Sequence, residues 1–172
     1  MMILLTGGSA CGKSSYAEKL CVGMEGPRYY IAAMQPFGEG GAEKIARHRA
    51  MRAGKGFQTV ERYTDLAGLI LPERGCALLE CICNLTANEM FDAAGAMRDP
   101  CEAVLTGVDA LRRQCENLVV VTNDVGSDNK DYDPGTRAYI RALGRINAIL
   151  AQQADEVYEL VCGIPLRLGV RN

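Results

Sequence analysis

The sequence has no tryptophan, a single histidine and no excess of charge of either sign. Its 19 basic and 21 acidic residues give a net charge of −2, which leaves no general positive field to hold nucleic acid or an anionic membrane. Long apolar runs are also missing. The apolar residues 1–5 have no basic segment before them and are too few for a secretory signal, and no stretch is long enough for a membrane span. We therefore expect a cytoplasmic protein with no nucleic-acid partner and no membrane span.

The eight cysteines are the unusual part of the composition. They could form a disulfide framework, but without a secretory signal reduced thiols are expected. A metal–thiolate site would usually need a two-residue spacer and a second pair, whereas Cys81 and Cys83 have one residue between them and His48 is distant in the sequence. We interpret these cysteines as small core residues.

Strand-like apolar runs alternate with helical patterns, which predicts an α/β fold with a mainly parallel sheet. The predicted strands are residues 3–6, 29–33, 77–79, 118–122, 157–162 and 166–168. The last two are close enough to form an antiparallel hairpin at the sheet edge. Asp99-Pro100 and Asp133-Pro134 each place a capping acid before a proline and indicate helix starts. The length of 172 residues predicts one domain, 1–172, and residues 127–133 read as a mobile surface loop.

A phosphate-binding motif follows the first predicted strand. Residues 7–14, GGSACGKS, fit the pattern G-x-x-x-x-G-K-[ST] and lead directly into a helical stretch at residues 15–21. Glycines allow backbone N–H groups to close around phosphate oxygens, and the helix N-terminus adds its positive dipole. Lys13 would reach the terminal phosphates and Ser14 would bind magnesium. The motif predicts an enzyme that uses a nucleoside triphosphate.

Two acidic residues stand at the ends of predicted buried strands, where a P-loop protein needs a carboxylate near its magnesium ion. Glu80 follows an apolar strand, and Asp124 follows residues 118–122. Either residue could instead cap the end of its strand. We favour Glu80 as the magnesium-site acid.

The single histidine lies in a basic segment. Residues 42–53 read as a helix on which Lys44, His48 and Arg52 recur at four-residue spacing and therefore share a face. Stacked cations destabilise a helix slightly, which suggests an anionic partner. They also disfavour the imidazolium form, so His48 would be neutral and able to act as a nucleophile. Taken by itself, a lone histidine on a charged helix is usually a solvated side chain.

Short segments along nearly the whole chain, read in order, resemble one known family. They are Leu5-Thr6-Gly7-Gly8, Tyr30-Ile31-Ala32, Ile45-Ala46-Arg47-His48-Arg49, Thr59-Val60-Glu61, Leu78-Leu79-Glu80-Cys81, Thr122-Asn123-Asp124-Val125-Gly126 and Ala154-Asp155-Glu156-Val157. This series resembles the bifunctional adenosylcobinamide kinase/adenosylcobinamide-phosphate guanylyltransferase family.

The resemblance implies a RecA-like P-loop fold, a homotrimer and two reactions in cobalamin biosynthesis. ATP or GTP would phosphorylate adenosylcobinamide, and GMP would then pass from GTP to that phosphate through a guanylylated histidine. The histidine matched by the motif is His48, and Ser14 and Glu80 would hold Mg²⁺. The implied catalytic residues are His48 and Lys13, and the implied nucleotide contacts are Gly7, Gly8, Ser9, Ala10, Cys11, Gly12, Lys13, Ser14, Ala32, Ala33, Met34, Arg49, Ala50, Met51, Arg52, Glu61 and Glu80.

Two other functions remain open at this point. The chain could be a small-molecule P-loop kinase without nucleotidyl transfer, in which His48 and its arginines merely bind phosphate. It could also be a RecA-like binding module that uses nucleotide as a switch. The chain departs from the family pattern at residues 53–57, which run one residue longer than usual, and at residues 127–133, where an apolar segment is expected.

Overall fold

The computed structural model describes residues 1–35, 46, 49–50, 52–92, 94, 96–126 and 130–170. Within them, seven strands form one sheet in the order β3-β2-β4-β5-β1-β6-β7. The strands are β1 (Met2–Thr6), β2 (Arg28–Ala32), β3 (Phe57–Glu61), β4 (Cys76–Leu79), β5 (Asn117–Val121), β6 (Glu156–Val161) and β7 (Ile164–Val170). All neighbours pair in parallel except β6 and β7. The predicted α/β class, with a mainly parallel sheet and an antiparallel C-terminal hairpin, is confirmed.

Helices cover both faces of the sheet. In the described ranges they are α1 (Lys13–Val22), α2 (Ile82–Met90), α3 (Cys101–Gln114) and α4 (Pro134–Gln153), with a short 3₁₀ helix at Leu66–Gly68. Strand residues alternate between two cores because successive side chains point to opposite faces. Met2, Leu4 and Ile31 lie with α2, α3 and α4, whereas Ile3 and Leu5 lie with α1. None of the described helices is long and apolar enough to cross a bilayer.

The helix starts agree with the sequence in one case and differ by a residue in the other. Asp133 caps α4, since its Oδ1 accepts a hydrogen bond from the Thr136 backbone N–H at 3.0 Å. Helix α3 begins at Cys101 rather than at Pro100, although Asp99 Oδ1 still accepts from the Cys101 N–H at 3.0 Å. The predicted surface loop at 127–133 is described from residue 130 onward, and its other residues lie outside the described part.

The hairpin turn and one edge strand position the site. Cys162 and Gly163 both have positive φ, 50° and 81°, which is the geometry of a tight two-residue hairpin turn. Strand β3 is an edge strand that was absent from the strands expected from the sequence, because it is half-exposed and carries no run of apolar residues. One strand, β5, separates β1 from β4, which agrees with the RecA-like class. This order places the P-loop and Glu80 together at the carboxyl ends of the parallel strands.

Candidate active site

The loop between β1 and α1 needs glycine at two positions. Gly7 has φ 134°, and a Cβ there would lie 2.6 Å from the Leu160 carbonyl oxygen. Gly12 has φ 99°, and its Cβ would lie 3.2 Å from Gly163 Cα. Both contacts are with the β6–β7 hairpin, which also donates a backbone hydrogen bond from Gly163 N to Cys11 O at 2.9 Å. The β6–β7 hairpin therefore packs directly against the phosphate-binding loop, and this close approach requires glycine at both positions.

Lys13 is buried and already held over this loop. Its Nζ donates to the backbone carbonyls of Gly7 at 2.8 Å and Gly8 at 2.6 Å. The ammonium group is thus oriented by the loop itself, at the start of α1, where the helix dipole favours negative charge. Ser14, the next residue, is half-buried. Backbone N–H groups at a helix N-terminus beside a lysine ammonium are suited to binding phosphate oxygens.

A cavity of about 400 Å³ opens over the loop. It is lined by residues of the phosphate-binding motif, namely Ser9, Ala10, Cys11, Gly12, Lys13, Ser14 and Ser15, and by Met34, Glu80, Cys81, Cys83, Asn84, Val121 and Asn123. Glu80 is 8% exposed, and its backbone N–H donates to Ile31 O at 3.1 Å. Glu80 and Ser14 thus line one cavity. Asp124 is exposed and does not line it; its neighbour Asn123 does.

A second, small cavity of about 20 Å³ adjoins the first, since Met34 and Glu80 line both. Its walls are Tyr30, Ala32, Met34, Arg49, Arg52, Thr59, Glu61, Tyr63 and Glu80. They come from β2, β3, the end of β4 and the basic segment before β3. Six residues singled out from the sequence far from the P-loop, Ala32, Met34, Arg49, Arg52, Glu61 and Glu80, therefore lie around one space beside it.

Arg52 is the most informative residue of this second cavity. It is 7% exposed, and its guanidinium carbon lies 3.3 Å from the centroid of the Tyr30 ring. Its Nε and Nη1 are buried without a hydrogen-bond partner in the described structure. Burying a cation in this way is unfavourable unless an anion completes the site. Burial, together with the negative charge of Glu80, raises the pKa of the Tyr30 hydroxyl, which therefore stays protonated.

Glu61 and Arg49 form the exposed rim of the same cavity. Arg49 Nη2 donates to Glu61 Oε1 at 2.5 Å, and the Tyr63 hydroxyl donates to Glu61 Oε2 at 2.9 Å. The hydrogen bond from Tyr63 and then that from Arg49 lower the pKa of Glu61, so its carboxylate is ionised near neutral pH. Ala50 is exposed, and Ala33 is fully buried with its carbonyl accepting a hydrogen bond from Asn88 Nδ2 at 2.8 Å.

His48 and Met51 lie outside the described residues, as do Lys44 and Arg47. Within the predicted helix 42–53, the described residues 46, 49, 50 and 52 are helical and Ala53 is in a turn. The end of this segment is tied to α1, because Lys55 Nζ lies 2.5 Å from Oε2 of the fully buried Glu18.

The sequence did not predict that Cys81, Cys83 and Asn84, at the start of α2, would line the P-loop cavity. Cys81 and Cys83 were interpreted as small core residues; Cys83 is buried, but both line the cavity with Asn84. A hydrogen bond from Cys81, assisted by Asn123 and Thr122, lowers the pKa of the Cys83 thiol to about 6. All eight cysteines are free, and the described residues contain no cluster of three His, Cys, Asp or Glu side chains suited to a metal ion. The position of these residues directly after strands was the available signal.

Comparisons with known proteins identify the family of the chain. The family model described as cobinamide kinase / cobinamide phosphate guanyltransferase matches residues 3–168. The bifunctional adenosylcobalamin biosynthesis protein CobU of Escherichia coli (strain K12) is 34% identical over 183 residues, with 98% of this chain and 99% of that protein covered. The protein of the same name from Salmonella typhimurium is 33% identical, again with 98% and 99% covered.

A more distant relative is the bifunctional adenosylcobalamin biosynthesis protein CobP of Pseudomonas aeruginosa, which is 27% identical over 172 residues and covers 98% of this chain and 97% of its own. Among solved structures, a prototypical ATPase of a bacterial type III secretion system matches 92% of this chain and 50% of its own at 11% identity and a TM-score of 0.49.

Proposed function

The chain belongs to the cobinamide kinase / cobinamide phosphate guanyltransferase family, and we propose that it carries out both reactions of that name. It phosphorylates adenosylcobinamide with ATP or GTP and then transfers GMP from GTP to adenosylcobinamide phosphate, as a step of cobalamin biosynthesis. The observation that carries this proposal is the pair of adjoining cavities that share Met34 and Glu80. One contains the phosphate-binding loop, and the other contains the buried, partly unpaired guanidinium of Arg52.

The kinase step uses the P-loop cavity. The hydroxyl oxygen of the adenosylcobinamide side arm attacks the γ-phosphorus, the nucleoside diphosphate leaves, and the hydroxyl proton passes to solvent. Lys13 and the backbone N–H groups of the loop bind the charge that develops on the departing phosphates. The transfer requires mainly positioning and charge stabilisation, which a preformed loop supplies.

The guanylyl step uses the only histidine of the sequence as a nucleophile. An imidazole nitrogen of His48 attacks the α-phosphorus of GTP, pyrophosphate leaves, and a phosphoramidate P–N bond forms. A phosphate oxygen of adenosylcobinamide phosphate then attacks the same phosphorus, the P–N bond breaks, and the imidazole is regenerated. The four-residue spacing in the sequence predicts that His48 shares a helix face with Arg52, whose unpaired nitrogens are suitable donors for phosphate oxygens.

Magnesium fits the P-loop cavity. Ser14 and Glu80 line the same cavity and both carry side-chain oxygen atoms, and Mg²⁺ in such sites takes one or two protein ligands plus substrate phosphates. When bound, the ion neutralises charge on the transferring and leaving phosphates. We further propose that the whole chain is a single catalytic domain, works in the cytoplasm and assembles as a homotrimer.

The decisive experiment is His48→Asn with GTP labelled in the α-phosphate. Wild-type protein should become labelled, and acid should release the label while alkali spares it, as expected for a phosphoramidate. The Asn variant should acquire no label but should still phosphorylate adenosylcobinamide, because Lys13 and Ser14 remain. Retained kinase activity is also the control that the variant has folded.

Other outcomes assign the chain to the other functions. A variant that still labels, or a wild type that transfers GMP without labelling, would exclude His48 as the nucleophile and favour direct transfer between bound substrates. Phosphorylation of adenosylcobinamide with no GMP transfer would indicate a kinase alone. No turnover of any corrinoid, combined with nucleotide-dependent assembly, would indicate a binding module.

A further inference from the structure

A third cavity, which we call the α2 cavity, lies at the C-terminal end of α2 and belongs to neither nucleotide space. Its volume is about 630 Å³, larger than the 400 Å³ of the P-loop cavity. Gln35, Thr64, Phe91 and Met97 are among its walls. It is therefore large enough to hold more of a substrate than the P-loop cavity holds.

The α2 cavity shares its wall with the nucleotide cavities. Asn88 of α2 donates from Nδ2 to the backbone carbonyls of Ala33 at 2.8 Å and Tyr63 at 2.9 Å. These two hydrogen bonds fix the segments that follow β2 and β3. Met34 and Tyr63 line the nucleotide side of that wall, and the next residues in sequence, Gln35 and Thr64, line the α2 cavity. A ligand in the α2 cavity would thus contact residues that are adjacent in sequence to residues of the second cavity.

The charges of the α2 cavity do not suit a second nucleotide. Its two charged residues, Asp92 and Arg98, are already engaged by the protein. Asp92 Oδ1 accepts from the N–H groups of Ala94 at 2.9 Å and Ala96 at 2.8 Å. Arg98 Nη2 lies 2.7 Å from Oε2 of the buried Glu89. The described lining residues include no glycine-rich loop and no unpaired cation. The cavity therefore suits a part of a ligand that carries no phosphate group.

Its lip is instead apolar. Phe91 and Met97 face each other across an antiparallel bridge and are 37% and 54% exposed. Exposed apolar side chains that border a cavity mark a place where a ligand buries apolar surface. Gln35 and Thr64 add hydrogen-bonding groups at the wall.

From these observations we propose that the α2 cavity binds the corrin ring of the acceptor substrate, an inference that rests on the function proposed above. The macrocycle is large and has an apolar body, and its rim carries uncharged amides that match the polar groups of Gln35 and Thr64. The side arm with the reacting hydroxyl, or its phosphate, extends across the wall towards the cavities that hold the nucleotide. The ring is held by apolar contact with Phe91 and Met97.

The test is a comparison of three variants in the full-length protein. Phe91→Ala combined with Met97→Ala removes the apolar lip, and Thr64→Trp fills the cavity from an exposed position. Ile70→Ala is the matched control, because Ile70 is an apolar residue that is 84% exposed and lies outside the cavity. Equilibrium dialysis with adenosylcobinamide, followed by its visible absorbance, gives the dissociation constant. Fluorescence titration with a labelled GTP analogue gives nucleotide affinity in the same preparations.

We expect the double variant to raise the dissociation constant for adenosylcobinamide by about tenfold, the loss of roughly one well-packed apolar contact. Thr64→Trp should weaken it at least as much, while Ile70→Ala and the GTP affinity of all variants stay within about twofold. Wild-type corrinoid affinity in both cavity variants would overturn the proposal. A parallel loss of GTP affinity would overturn it too, because it would mean that the cavity is not a separate site. If the wild type itself binds and turns over no corrinoid, the proposed function fails and this inference fails with it.

Discussion

At the scale of single residues, Lys13 and Arg52 are two buried cations in different situations. The Lys13 ammonium is satisfied by backbone carbonyls of its own loop. The Arg52 guanidinium lies over the Tyr30 ring, and its Nε and Nη1 have no hydrogen-bond partner in the described structure. A cation that the fold leaves incomplete suggests where a phosphate would add most binding energy. Lys13, in contrast, would exchange its hydrogen bonds to backbone carbonyls for contacts with phosphate oxygens when a nucleotide binds.

We predict that Lys13→Ala abolishes both reactions, because both need the triphosphate of the nucleotide held at the same loop. Kinase activity and guanylyl transfer should each fall by about 10²-fold or more. The measurement is product formation from labelled ATP and GTP with adenosylcobinamide. Lys19→Ala, an exposed lysine later in α1, is the matched control and should leave both rates unchanged. Near wild-type rates for either reaction in Lys13→Ala would argue against a shared site.

We also predict that Glu80→Gln reduces magnesium-dependent turnover much more than it reduces stability. The amide keeps the shape of the side chain but removes the negative charge that binds Mg²⁺. Rates measured over a series of magnesium concentrations should show a higher requirement for the ion in the variant. The melting temperature serves as the control. A fall of many degrees without a change in magnesium requirement would mean that Glu80 has a structural role.

At the scale of elements, an ion pair fastens the end of the basic segment to α1. Glu18 is fully buried, and Lys55 supplies its partner from the turn before β3. This contact joins residues that are 37 positions apart in the sequence. It fixes the end of the segment from which Arg52 enters the second cavity.

Removing the Lys55 charge should therefore loosen this connection. In Lys55→Met the buried Glu18 carboxylate loses its partner, and we expect the free energy of unfolding to fall by about 2 kcal/mol. This is less than for a fully buried pair, because the Lys55 side chain is 38% exposed and its charge is partly screened. Urea unfolding measures the change, and the control is Lys19→Met, an exposed lysine on α1, the helix that carries Glu18. Equal stability in the two variants would contradict a stabilising role for the pair.

Secondary-structure elements could be predicted where the residues that decide them are adjacent in sequence. The strands β1, β2, β4 and β5 are almost continuously buried, and their apolar runs were legible in the sequence. Strand β3 was missed because its side chains are half-exposed at a sheet edge, where pairing with β2 decides the conformation. Asp133 was recognised as a cap because the acid, the proline and the helix are adjacent in sequence.

At the scale of the whole molecule, the sheet order creates the site. Strands β4, β5 and β1 are neighbours, so Glu80, Asn123 and the P-loop meet at the carboxyl ends of these strands, although residues 14 and 80 are far apart in sequence. The β6–β7 hairpin, at the other side of β1, supports the glycines of the loop. Its outer strand leaves Ile164, Leu166 and Leu168 exposed, at 61%, 45% and 59%. Such a face is consistent with the proposed assembly of several copies.

The sequence by itself determined the α/β class, the phosphate-binding loop and the family, because these depend on short segments whose residue types and spacing are readable without a fold. It also predicted Glu80 as an acid at a strand end, whereas the choice of Asn123 over Asp124 as the residue lining the cavity was made by the tertiary structure. The same holds for the unpaired guanidinium of Arg52, the wall held by Asn88 and the α2 cavity behind it. These features arise from the burial and pairing of residues that are distant in sequence, and local patterns carry no record of such contacts.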